Sequence, residues 1–124
     1  MILKNLHLIL SSIIVIPVAI VYGFCPHLLF QITINSINEH SIFKAIMGLY
    51  LAFGLLFILG ICYRHYWKTA TQVNILFMFS LAFGRIISFV FDGFPSPVFL
   101  FGTLGELILG FYGLLQLKQH SIKS

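Results

Sequence analysis

The sequence predicts an all-α integral membrane protein, a four-helix bundle with both termini in the cytoplasm. Three observations carry that reading. The first is composition: 60% of the 124 residues are hydrophobic and only 8% are charged. Soluble domains are nearer half apolar and a quarter charged, and a soluble chain this short has too little interior to hide so much apolar surface. A mean hydropathy of +1.05 points to a bilayer as the solvent. The second is that the apolar residues fall into four runs, at about 5–24, 41–62, 70–91 and 97–117. Each has the length a helix needs to cross the hydrocarbon.

The third is the placement of Lys and Arg. Lys4 precedes the first run, Arg64 and Lys68 lie between the second and third, and Lys118 and Lys123 follow the fourth. The other two connections hold neither, apart from Lys44 just inside span two. Positive residues stay inside, so both termini and Tyr63–Lys68 belong to the cytoplasm. An even number of spans agrees. The net charge of +4 is therefore an orientation signal in a cell inner membrane, and no nucleic-acid partner is expected. Residues 1–124 read as a single transmembrane domain, with the lipid bilayer as first partner.

The elements follow in order. Lys4 and the apolar stretch Ile9–Ile20 resemble the start of a signal peptide, but no small-x-small cleavage site follows. The "YGFC" ending at Cys25 lacks the small residue of a lipoprotein signal. The first run therefore reads as an uncleaved helix, bent at Pro17, where a backbone hydrogen bond is lost. In "PHLLFQITIN" (Pro26–Asn35), Leu28, Leu29 and Ile32 suit a short interfacial helix, whereas Phe30, Ile32 and Ile34 alternate like a strand. Pro26 at a first helical position favours one or two helical turns on the outer surface.

Ser36 and Glu39 form the S-x-x-E of a capping box, so the second long helix starts near Ile37. Tyr63, Tyr66 and Trp67 read as an aromatic belt. Gly93 after Asp92 is a helix-ending glycine, and Ser96-Pro97 reads as N-cap and first helical residue. Spans three and four then form a tight hairpin, expected to be the closest contact in the fold.

Arg85 lies inside span three, in "FGRIISFVFDG". A lone arginine at that depth costs at least ~3 kcal/mol, so it needs a partner. Glu106 in span four lies at a similar depth once the hairpin is folded. Arg85, Ser88 and Asp92 share a helix face at i, i+3, i+7. Arg85, Glu106, Asp92 and Ser88 are thus the candidate ligand-binding or buried polar network. Tyr50, Lys44 and His40 are further contributors, and Asn74 sits nearer the cytoplasmic end, outside this pocket. Gly102, Glu106 and Gly110 recur at i, i+4, i+8, next to Gly105, and Ser80, Gly84 and Ser88 repeat that spacing in span three. Gly48 and Ala52 add small residues to span two. Such stripes let helices approach closely, so Gly84, Gly102, Gly105 and Gly110 are the expected packing positions. The plainer reading is that Arg85–Glu106 fixes helix register, since a buried pair is weak evidence even for stability.

Other chemistry is thin. Cys25 and Cys62 fall at opposite membrane faces, too far apart for an intrachain disulfide. Cys62 and His65 are three residues apart but have no further ligands, so no metal is expected. His7, His27, His40, His65 and His120 read as solvated or interfacial. No catalytic triad, histidine cluster or phosphate loop is present, so neither an enzyme nor a cofactor is expected.

"FKAIMGLYLAFGLLF" from Phe43, "LAFGRIISFVFDGFPSP" from Leu81 and "GELILGFYGL" from Gly105 together resemble a family of small four-span bacterial membrane proteins, domain of unknown function 4345. The resemblance covers roughly residues 40–117, and the first span matches in character alone. Its most specific part is the G-R-x-x-S…D-G-x-P-S-P pattern, matched by Gly84, Arg85, Ser88, Asp92, Gly93, Pro95, Ser96 and Pro97. It implies the same bundle and the same charged residues, and no activity or substrate. Three functions compete. One is a non-enzymatic binder of a lipid or other amphiphile, in a polar pocket in the extracytoplasmic half. The second is an oligomeric transporter or channel using Glu106 or Asp92. The third is an accessory subunit docking its glycine faces on a membrane partner.

Overall fold

The computed structural model describes residues 2–29 and 35–121. Five helices follow one another: α1 (Ile2–Phe24), α2 (Pro26–Leu29), α3 (Ile37–Cys62), α4 (Arg64–Asp92) and α5 (Pro97–Ser121). The four long ones have 23, 26, 29 and 25 residues. At a rise of 1.5 Å per residue they run from ~35 to ~44 Å, beyond the ~30 Å of hydrocarbon. All four are long and apolar enough to cross a membrane. α2 is the helical turn expected after Pro26; the alternation at Phe30, Ile32 and Ile34 lies outside the described residues, as does Lys123.

Local chemistry sets the boundaries. Ser36 accepts the Glu39 backbone N–H at 3.2 Å and starts α3. The Glu39 carboxylate takes the Ser36 hydroxyl, also at 3.2 Å, instead of the backbone N–H of the usual capping box. Gly93 ends α4 with φ +93°, a backbone region that glycine enters without steric cost. Ser96 precedes α5, but its hydroxyl makes no capping bond; Phe99 N–H bonds the Ser96 carbonyl instead, at 3.0 Å. α1 runs through Pro17.

The connection between α3 and α4 differs from expectation. Arg64–Thr69 is the beginning of α4 and not a loop, because no Gly or Pro interrupts it. Tyr63 alone leaves helical geometry (φ −124°, ψ 117°) and flanks both helices. Its N–H closes α3 on Leu59 O at 2.8 Å, and its carbonyl takes the Tyr66 N–H at 3.0 Å. Tyr63 and Tyr66 stay exposed as a belt would, but Trp67 is buried in the bundle. Its indole N–H reaches Lys4 O at 3.3 Å.

The helices run up, down, up and down. The end that holds α1's start, Tyr63 and α5's close is here the near end; the end with Gly93–Ser96 is the far end. α1 packs most extensively on α3, then α4 on α5 and α3 on α4, and α5 closes the ring on α1. The hairpin of α4 and α5 is thus not the closest contact. α1 and α3 come closer because Gly54 lies against Ile16, Gly23 against Met47, and Gly60 against Leu8 and against Ala70 of α4. Leu8, Val15, Ala19, Phe57, Met78 and Leu109 form the core between them. Outward-facing Ile13, Leu76, Phe83, Val90 and Phe101 need no burial where lipid is the solvent.

Candidate functional site

Arg85 sits seven residues before the end of α4, and Glu106 sits nine residues into α5. The four-residue turn between these helices brings them level. Arg85 Nε donates to Glu106 Oε1 at 2.9 Å and to Oε2 at 3.2 Å. The pair is mostly withdrawn from the surface, with side-chain exposures of 20% and 12%. The guanidinium lies over the Phe99 ring, 5.4 Å from its centre. Tyr22 of α1 brings its hydroxyl within hydrogen-bonding reach of it. A cation in such a place is held by charge, by hydrogen bonds and by an aromatic face together.

Three cavities meet at Arg85. One, of about 250 Å³, runs between α1 and α5 past Val15, Val18, Gly102, Gly105 and Glu106. A second, of about 570 Å³, lies on the side of α3 and α4, past Phe43, Ile46, Ser80, Gly84 and Ser88. The two share Tyr22, Tyr50, Leu81, Arg85 and Phe99 as a common wall. A third, of about 250 Å³, reaches from Arg85 and Ser88 towards Pro95 at the far end. Most of the lining is apolar, and Arg85 and Glu106 supply its charge.

The other expected residues divide. Ser88 borders the second and third cavities, but its hydroxyl donates to Asp92 at 2.9 Å. Asp92 is exposed, and among the described residues Glu106 is the carboxylate paired with Arg85. Ser88 and Asp92 are four residues apart on one helix, so they satisfy each other first. Tyr50 does line the site. His40 is exposed, and Lys44 is used elsewhere: its ammonium donates to Gly23 O at 2.8 Å and lies 5.1 Å from the centre of the Phe24 ring, closing α1.

The glycine stripes act against expectation. A Cβ placed on Gly84, Gly102 or Gly105 would meet nothing within 4 Å. These positions do not bring helices together; the missing side chains are part of the cavity volume. Gly48 likewise meets nothing. Gly110 alone of the four packs as expected, with the Phe79 ring 2.6 Å from where its Cβ would stand.

Sequence reasoning missed Tyr22 and Phe99, which had no pattern to mark them. It also took His7 for an interfacial residue. The structure buries His7 completely and sets its Nε2 2.8 Å from Thr71 Oγ1. Asn74 lies outside the Arg85 cavities, yet it too is fully buried. Cys25 and Cys62 are free and stand at opposite ends of the bundle. Among the described residues, no three His, Cys, Asp or Glu gather as metal ligands.

A family model described as Domain of unknown function (DUF4345) matches residues 3–117, first span included. No curated protein matches the chain, and no solved structure does.

Proposed function

The chain belongs to the family defined by that domain of unknown function, and from this premise we propose that it is a non-enzymatic binder of an amphiphile. The ligand's anionic or carbonyl oxygen meets Arg85, and its apolar part occupies the cavity beside Gly102 and Gly105. The single observation behind this is that one arginine, held by Glu106, stands in the wall shared by two mostly apolar cavities. Small-molecule sites have this make-up: apolar walls and a few converging polar groups. Both bonds to Glu106 leave from Nε, so beside the Tyr22 hydroxyl the terminal nitrogens still hold donors for an incoming oxygen. Ile14 and Phe101 line the first cavity and are themselves exposed on the outer face of the bundle. A lipid or quinone-like molecule enters there, sideways from the bilayer.

In this reading the far end is extracytoplasmic, and both termini lie on the cytoplasmic side of a cell inner membrane. Lys4, Arg64, Lys68 and Lys118 all fall at the near end, as the positive-inside rule asks. Lys44, near the far end, departs from the pattern, and its ammonium is held at Gly23 O.

Native mass spectrometry of gently solubilised protein tests the proposal. Wild type should carry a bound lipid or other amphiphile, and Arg85→Gln and Gly102→Leu should each lose it while staying folded. Wild type that is bare under conditions that keep lipids on other membrane proteins would sink the binding reading. Ion flux in liposomes from a stable oligomer would favour transport instead.

A further inference from the structure

At the near end, away from Arg85, three helices bury five polar side chains at similar levels. α1 supplies His7 and Ser11, α4 supplies Thr71 and Asn74, and α5 supplies Gln116. His7, Ser11, Thr71 and Asn74 are 0% exposed and Gln116 is 9% exposed. The i, i+4 and i, i+3 spacings put each pair on one helix face. Gly113 brings the α5 backbone close to Asn74: a Cβ there would stand 3.5 Å from Nδ2. The rings of Trp67 and Tyr112 stand edge-on to His7, with centres 5.7 and 6.1 Å away.

One hydrogen bond, His7–Thr71, is made inside this group. His7 Nδ1, Ser11 Oγ, both polar atoms of the Asn74 amide and Gln116 Oε1 find no partner in the protein. Other buried hydroxyls behave differently: Ser12 and Thr103 turn back to carbonyls of their own helices, at 3.0 and 2.9 Å. A buried polar atom without a partner is costly, and more so where lipid surrounds the bundle. Such groups in protein interiors are commonly satisfied by ordered water, each molecule taking about three hydrogen bonds.

We propose that this cluster is a water-binding site, in which ordered water bridges His7 Nδ1, Ser11, Asn74 and Gln116 within the near half of the bundle. The chemistry suits water better than an ion. The five side chains include no carboxylate or thiolate to balance a metal, and hard divalent cations take mostly anionic oxygen ligands. The set offers both roles instead. The Asn74 amide donates and accepts, the Ser11 hydroxyl does either, and the Gln116 carbonyl accepts. His7 Nδ1 takes whichever role is left once Nε2 has bonded Thr71. Val15 lies one turn beyond Ser11, and Met78 one turn beyond Asn74. With Leu109 these two are buried, and all three line the Arg85 cavity from the near side. One apolar layer therefore parts the wet cluster from Glu106.

Water-edited solid-state NMR of the intact protein in lipid bilayers tests this directly. Magnetisation from water should reach the Asn74 and Gln116 side-chain amides and the His7 ring several-fold faster than it reaches Ala19 and Ala82, both buried and outside every cavity described. Transfer to Asn74 as slow as to Ala82 would overturn the proposal and mean that the side chains satisfy one another directly. The second measurement uses Ser11→Ala combined with Gln116→Leu, two residues outside the Arg85 cavities. If the site is shared, transfer to Asn74 drops although its own side chain is unchanged. Unaltered transfer to Asn74 in that folded variant would also overturn a single bridged site.

Discussion

Glu106 holds Arg85 by one nitrogen: both carboxylate oxygens converge on Nε, at 2.9 and 3.2 Å. A fork-to-fork pair would engage two nitrogens and saturate both partners. Here the carboxylate fixes the guanidinium from its Nε side and leaves the ends bordering the cavities. Glu106 thus positions a cation within the bundle without taking up its terminal nitrogens, one side of which faces the Tyr22 hydroxyl.

That arrangement predicts an asymmetric response to mutation. Glu106→Gln leaves a charged guanidinium that stays charged at any ordinary pH, whereas Arg85→Leu leaves a carboxyl group that can be neutralised by a proton. Thermal melting in detergent should therefore show the larger loss for Glu106→Gln. The double variant should recover part of that loss, with a coupling of order 1 kcal/mol or more. Strict additivity across the four proteins would show that the two side chains are energetically independent.

The glycines should separate into two classes. Gly60→Ala meets Ala70 and Leu8, and Gly110→Ala meets the Phe79 ring, so both should lower the melting temperature. Gly102→Ala and Gly105→Ala enter open space and remove a poor helix former, a gain of up to ~1 kcal/mol in a helix interior. Both should melt at or above the wild-type temperature. Equal losses for all four would mean that α5 lies closer to its neighbours than described.

Orientation can be read from the two thiols. Cys62 is exposed at the near end and Cys25 is half-buried at the far end. If the near end faces the cytoplasm as proposed, an impermeant maleimide added to intact cells should reach Cys25, and Cys62 only after permeabilisation. Labelling of both from one side contradicts the bundle; labelling in the reverse order places the termini outside.

Lys44 is expected to matter for α1 and not for the Arg85 site. Lys44→Met removes the donor to Gly23 O, a loss of ~1 kcal/mol for an ordinary hydrogen bond. Amide exchange should speed up at Phe24 and Cys25, and retention of the proposed amphiphile should stay as in wild type. Loss of ligand with unchanged exchange would put Lys44 in the site instead.

What the sequence reveals depends on what constrains each residue. Arg85 and Glu106 could be matched because a short turn links their helices, so counting residues from Gly93 gives depth. Ser36 and Gly93 mark boundaries because capping and positive φ favour few residue types. The rotation of α1 has no such ruler. Residues 25–36 separate it from α3, so nothing in the sequence says that His7, Ser11 and Tyr22 turn inwards. Glycine is ambiguous for a different reason. A missing side chain admits a neighbouring helix at Gly60 and leaves a hollow at Gly102, and the same letter stands for both. Trp67 was misplaced because a polar, aromatic stretch without a helix breaker simply continues the helix.

Tyr63 closes α3 and opens α4 without an intervening spacer, so the two helices meet across the torsions of one residue. Each residue of a helix advances it by about 100°. One residue inserted within the first turn of α4 would shift the register of Trp67, Asn74, Met78 and Arg85 by that angle together, unless the turn at Tyr63 absorbed it. A single-residue joint of this kind concentrates the whole change of direction between α3 and α4 on the two backbone torsions of Tyr63, so the pose of α4, and with it the place of Arg85, depends on that one residue's conformation.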